Sequence, residues 1–277
     1  MNHIARVIAH RGIWDAVTPQ NSIEAFQRAW TEGATWVETD FHRTDAGQIL
    51  CIHAESELKA YTGCDKEIAN LTPEDVATLR LVPPGPYCPP PGGAPATAAQ
   101  TGAPGHACPI PLLEEVLATV PRHGTLQSEI KGYAPDYAER FDRAVREAGL
   151  SEANIVVSSF QRDALADFHR RLPSYRTLWL ASPPKDEPFD PAPWIAACRE
   201  SGFDIFCPGC GQWDGAPLAP SDADAFRAAG IGFRLWGVNS PEALRYARDT
   251  GAAAFTCNYW HDAFAWASAV GGIELVP

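Results

Sequence analysis

No run of about 18 apolar residues occurs anywhere in the 277-residue chain, which argues against a membrane-spanning helix. The opening segment MNHIARVIAHRG has no apolar stretch of export-signal length, and strand-like sequence begins within it. That points to a cytoplasmic protein. Basic residues are also scarce: Lys and Arg number 22 against 34 acidic residues, for a net charge of −12. No basic stripe is present, so nucleic acid and anionic membranes are poor partners, since both are gripped by neutralising phosphates. A single buried phosphate remains compatible with an acidic exterior. The eight cysteines are scattered, and only Cys207 and Cys210 form a CxxC. No second pair follows at zinc-ribbon spacing, and without an export signal the thiols are expected reduced, the pair reading as a loop at a strand end. No GxGxxG follows the first strand, which weakens an open doubly wound sheet.

What is present is alternation. Short β-branched or aromatic runs trade places with segments of helical period along nearly the whole chain. Arg6–His10 reads as a first strand, Ser22–Gly33 as a helix capped by Ser22, and Trp36–Phe41 as a second strand. Gln48–His53 reads as one arm of an extension beyond it. Further strands are expected at Thr125–Lys131, Asn154–Phe160, Tyr175–Ala181, Phe203–Pro208, Phe233–Val238 and Ala253–Asn258, with helices between them. Eight core strands each followed by a helix predict a parallel sheet closed on itself, a (β/α)8 TIM barrel spanning residues 1–277 as a single domain. Residues 82–109 break the pattern. Pro, Gly, Ala and Thr dominate there, which reads as a surface insertion after the second strand, and regular alternation resumes beyond it.

Barrel chemistry sits at the carboxyl ends of the strands, and these ends are polar. The first strand finishes in His10-Arg11-Gly12. Glu38 and Asp40 lie two apart on the second strand and so face one side, as do Glu129 and Lys131 on the third. The extension ends at His53. Each piece alone has an ordinary structural explanation: a terminal histidine satisfied by neighbours, or carboxylates facing helix ends. Together they are harder to explain that way, because buried like charges repel unless a cation joins them. An all-oxygen set suits a hard divalent ion, Mg²⁺ or Ca²⁺, and Arg11 and Lys131 are donors of the kind that hold phosphate oxygens.

The motifs AHRG (9–12), PQNS (19–22), ETDFHRTDAGQILCIH (38–53) and SEIK (128–131) resemble, in order, those of the glycerophosphodiester phosphodiesterases. IPLLEEVL (110–117), SSF (158–160) and LWGVNSPEALRYARDTGAAAFTCN (235–258) resemble that family's later elements. The resemblance implies a metal-dependent hydrolase of lipid metabolism that splits glycerophosphodiesters into glycerol 3-phosphate and an alcohol. It assigns His10 and His53 as the acid–base pair, and Glu38, Asp40 and Glu129 as metal ligands. It places Arg11 and Lys131 on the phosphate, and Trp236 against the alcohol moiety. The attacking group is either the neighbouring glycerol hydroxyl, through a cyclic phosphate, or water. Three positions depart from the family pattern: Gln20 and Ala54 replace Glu and Asp, and Asn258 replaces Asp. Each change removes a carboxylate, which leaves open a sugar phosphodiester or lysophospholipid substrate, or a phosphate-binding barrel without turnover.

Overall fold

The computed structural model describes residues 2–82, 107–184, 187–210 and 218–277. They divide into two compact units, one of residues 2–10 and 157–277, the other of 11–82 and 107–156. Strand–helix alternation runs through both.

In the second unit, helix α1 (Ile23–Thr31) starts where expected: the Ser22 hydroxyl accepts from the Ala25 N–H and satisfies one free donor of the first turn. It leads to strand β2 (Trp36–Arg43), against which β3 (Ile49–Cys51) folds back antiparallel, as the extension predicts. Helices α2 (Glu55–Thr62) and α3 (Pro73–Thr78) follow. Two-residue strands β4 (Arg80–Leu81) and β5 (Cys108–Pro109) pair antiparallel. The excursion expected between them lies outside the described residues, apart from its ends. Helix α4 (Leu113–Thr119), strand β6 (Thr125–Ile130) and helix α5 (Tyr137–Glu147) complete the unit. Strands β2 and β6 pair in parallel with Glu38 opposite Gln127 and Asp40 opposite Glu129. Beneath α2 and α3 lies a small core containing Leu50, Ile52, Leu58, Ile68 and Val76. Burial of Leu58, worth about 1.5–3 kcal/mol, anchors α2.

In the first unit, β1 (His3–His10) pairs in parallel with β11 (Ala254–Cys257) and with β12 (Ile273–Val276). The latter strand is not evident from sequence pattern. Strands β7 (Ile155–Ser159, shared with the other unit), β8 (Arg176–Ala181), β9 (Ile205–Pro208) and β10 (Gly232–Phe233) alternate with helices α6 (Arg162–Arg171), α7 (Pro191–Ser201) and α8 (Pro220–Ala228). Helix α9 (Pro241–Thr250) precedes β11, and α10 (Trp260–Val270) follows it. Strand β8 pairs in parallel with β9, and β9 with β10. Of the expected strand Phe233–Val238 only Phe233 lies in β10; Leu235 and Trp236 form isolated bridges, and the backbone turns at Gly237 with φ 79°. An aromatic cluster fills this core, with Phe206 and Phe226 stacked at 4.5 Å. Cys207 and Cys210 are both buried free thiols, and neither belongs to a metal-ligating cluster among the described residues.

Candidate active site

The local backbone fixes the first cation. Arg11 has φ 62° and Gly12 φ 82°, so the chain turns through left-handed conformations directly after β1. For Arg11 this costs roughly 1–2 kcal/mol. Its N–H donates to the Glu38 carbonyl at 2.9 Å, and its own carbonyl accepts from Asn21 N–H at 3.1 Å, which holds the strained residue in place. Gly12 has no alternative: an added Cβ would lie 2.6 Å from the Ala25 carbonyl carbon. Gly12→Ala is therefore expected to lower stability by roughly 3 kcal/mol, from positive φ and overpacking together. Chemical denaturation measures this, and a loss below about 0.5 kcal/mol contradicts the reading.

Three carboxylates meet on β2 and β6. Glu38, Asp40 and Glu129 are all buried, and each offers an oxygen within 4.8 Å of the others. The parallel register that sets Asp40 opposite Glu129 brings this about. Lys131 Nζ lies 2.7 Å from Glu129 Oε1 and 3.3 Å from Asp40 Oδ1, and Arg11 Nε lies 3.1 Å from Asp40 Oδ2. Asn21 Nδ2 donates to Asp40 Oδ2 at 2.9 Å, while its Oδ1 accepts from the Thr39 hydroxyl at 3.1 Å.

The electrostatics follow from burial and crowding. Burial, then repulsion from Asp40 and Glu129, pushes Glu38 well above the carboxylate range. Burial and Asp40 push Glu129 up to about 7, with Lys131 opposing. Burial pulls Lys131 and Arg11 down, but the surrounding carboxylates outweigh it and hold both above their ordinary values. Two cations thus share three carboxylates. The oxygen donors and the surplus of negative charge fit a hard divalent ion, so this triad can hold a metal.

Arg11 has a second partner. Its Nη1 lies 2.8 Å from Glu57 Oε1, and the same oxygen accepts from Gln20 Nε2 at 2.6 Å and faces His53 Nδ1 at 3.3 Å. The structure therefore joins Arg11, Lys131, Glu38, Asp40, Glu129 and His53 into one polar network through Asn21, Gln20 and Glu57. Of these last three, only Gln20 stands out in the sequence, as a departure from the family pattern. In the other unit, His10 Nδ1 donates to Asn258 Oδ1, and the Asn258 N–H donates to Asn239 Oδ1 at 2.8 Å. Trp236 Nε1 donates to the Ala181 carbonyl at 3.1 Å, and Phe160, 42% exposed, meets the indole edge-on at 5.6 Å. Phe160 ends the SSF motif, whose spacing alone assigns it no role.

The model of the glycerophosphoryl diester phosphodiesterase family matches residues 10–260. The chain belongs to that family. With it the chain joins the phosphoric diester hydrolases. A glycerophosphodiester phosphodiesterase of Bacillus altitudinis is 29% identical over 177 residues, covering 61% of this chain and 64% of that protein. A Silicibacter pomeroyi protein of solved structure is similar with TM-score 0.78 at 19% identity, over 98% of this chain and 95% of that one. A phosphodiesterase from Oleispira antarctica, solved in complex with the product sn-glycerol-3-phosphate, is similar with TM-score 0.70 at 18% identity, over 95% and 96% of the two chains. The fold is the (β/α)8 barrel expected from the alternation. No helix among the described residues is long and apolar enough to cross a membrane.

Proposed function

We propose that residues 1–277 act as one catalytic domain that hydrolyses a glycerophosphodiester to glycerol 3-phosphate and an alcohol. The observation that carries this reading is the buried carboxylate triad of β2 and β6 with Arg11 and Lys131 attached to it, in a chain of this family. A diester phosphate is an anion, and a guanidinium and an ammonium already held in place grip its oxygens without further ordering. A divalent cation, Mg²⁺ or Ca²⁺, held by Glu38, Asp40 and Glu129 would supply Lewis-acid polarisation of a phosphoryl oxygen.

The proton traffic falls to His10 and His53. The Nδ1 atom of each faces a partner, the Asn258 amide oxygen and the Glu57 carboxylate respectively. Both partners are acceptors, so Nδ1 carries the hydrogen and Nε2 is the atom that takes up or delivers a proton. One imidazole removes the proton from the attacking hydroxyl and the other protonates the departing alkoxide. Trp236, with Phe160 against it, offers an aromatic wall to the alcohol moiety.

The test is a panel of glycerophosphodiesters, sugar phosphodiesters and lysophospholipids, with products identified and each reaction run with and without chelator. Glycerol 3-phosphate and free alcohol are expected from at least one glycerophosphodiester, with turnover lost on chelation. A transient cyclic phosphate marks attack by the glycerol hydroxyl; its absence in rapid-quench samples marks attack by water. Failure on every glycerophosphodiester, with turnover of another class, overturns the substrate assignment.

A further inference from the structure

Glu57 stands third in helix α2 and its side chain is 16% exposed, yet one of its oxygens serves three partners on three different segments. Arg11 lies just after β1, Gln20 lies in the turn before α1, and His53 lies just before α2. A surface carboxylate in the first turn of a helix ordinarily serves the helix dipole, a modest and solvent-screened role. Here the same oxygen lies 2.8 Å from a guanidinium, 2.6 Å from an amide donor and 3.3 Å from an imidazole nitrogen. Gln20 reinforces the arrangement, since its own Oε1 accepts from Arg11 Nη1 at 3.3 Å. His53 is also held from behind, its carbonyl accepting from His42 Nε2 at 3.0 Å.

The neighbourhood explains why this carboxylate matters. Positions 20 and 54, which flank Arg11 and His53, are Gln20 and Ala54, and neither carries a charge. Glu57 lies four residues after His53, one helical turn on, so its side chain reaches back over the histidine. We propose that Glu57 is the positioning residue of this site: a single carboxylate that orients the guanidinium of Arg11 toward phosphate and fixes the tautomer of His53. It supplies from α2 the negative charge that Gln20 and Ala54 do not. A carboxylate only accepts, so His53, whose Nδ1 faces it at the ion-pair distance of 3.3 Å, is drawn to carry its hydrogen on Nδ1 and to present Nε2 to the reacting atoms.

This rests on the phosphodiesterase reading, so the experiment has one arm that needs turnover and one that does not. In the first arm, Glu57→Gln and the exchanged pair Gln20→Glu with Glu57→Gln are compared with wild type on the glycerophosphodiester found active in the panel. Glu57→Gln is expected to lower kcat about 10- to 100-fold and raise KM, the range for loss of an outer partner of a catalytic group. The exchanged pair moves the charge across the hydrogen bond of 2.6 Å, keeping it beside Arg11 but away from His53. KM is expected to return toward wild type while kcat stays low. A purely structural role predicts instead that kcat and KM move together and follow Tm. In the second arm, the ¹⁵N resonances of the His53 imidazole report its tautomer, and calorimetry reports binding of inorganic phosphate. Glu57→Gln is expected to mix the tautomers and weaken phosphate binding; the exchanged pair is expected to restore phosphate binding only. Unchanged tautomer and phosphate affinity in Glu57→Gln overturn the proposal even if the enzyme's substrate lies outside the panel. Unchanged tautomer and phosphate affinity with no turnover in wild type would sink both readings, whereas the expected shifts without turnover would sink only the functional one.

Discussion

Replacing Glu38 by glutamine is expected to abolish divalent-cation binding and turnover together while leaving the fold in place. The side chain is isosteric and already buried, so no cavity forms; what disappears is one of three charges that a cation needs. The same substitution separates the cost of the triad from its use. Glu38 and Glu129 are both raised by burial and by repulsion from neighbouring carboxylates, Glu129 to about 7. An unfolded glutamate titrates near its ordinary value, so between about 4.5 and 7 the folded chain keeps protons that the unfolded chain has lost. For Glu129 the contribution to the stability of the metal-free protein is complete below that window and is lost as pH rises through it, and Glu38 acts in the same direction. Metal-free wild type is therefore expected to show a falling Tm from pH 5 to pH 8. Glu38→Gln is expected to flatten the curve. Adding Mg²⁺ or Ca²⁺ at pH 8 should raise the wild-type Tm, by about 2.7 kcal/mol of stabilisation at a hundredfold excess over Kd, and leave the variant unmoved. Full turnover in a chelator, with the metal shown by elemental analysis to be gone, rules out the metal requirement.

The second large effect is expected at the histidines. His10→Ala and His53→Ala should each lower kcat by roughly 10² to 10⁴, the usual range for positioned proton transfer. With the two acting on one displacement, as proposed, the double variant should be little worse than the poorer single one. The wild-type rate should be bell-shaped in pH, since one imidazole must start neutral and the other charged. Cation occupancy is measured in each variant, so that a lost metal is not mistaken for a lost proton carrier. Near-wild-type kcat in His10→Ala would leave Arg11, Lys131 and the carboxylate triad to carry the chemistry without a two-histidine relay.

The carboxylates and cations could be read from the sequence because β2 and β6 are regular strands: a spacing of two fixes which residues share a face. The register between the strands could not, and it is the pairing of Asp40 with Glu129 that turns two same-facing pairs into a triad. Glu57 escaped for a different reason. Helix α2 begins directly after His53 without a side-chain cap and buries only Leu58, so it shows almost no amphipathic period. Asn21 was part of a quoted motif, but its use depends on φ 55° and on contacts with Thr39 and Asp40, which composition does not encode. Strand β12 was hidden behind Gly271 and Gly272, both at positive φ, which read as the end of regular structure. The barrel was legible because strand–helix alternation is a property of the whole chain, not of one segment.

The pairing of β1 bears on the order in which the molecule assembles. Its hydrogen bonds reach partners far along the chain: 248 positions from His10 to Asn258, and 271 from Arg6 to Pro277. Closing loops of that size carries a large entropic cost before any contact rewards it, which slows folding. Until those partners are synthesised, β1 lacks its pairing with β11 and β12, and His10 lacks the amide that fixes its ring. Residues 11–82 and 107–156 draw on much closer partners, so the carboxylate triad can form while the chain is still being made. The pairing of β1 with β11 and β12 is completed last, after the segment that carries the triad.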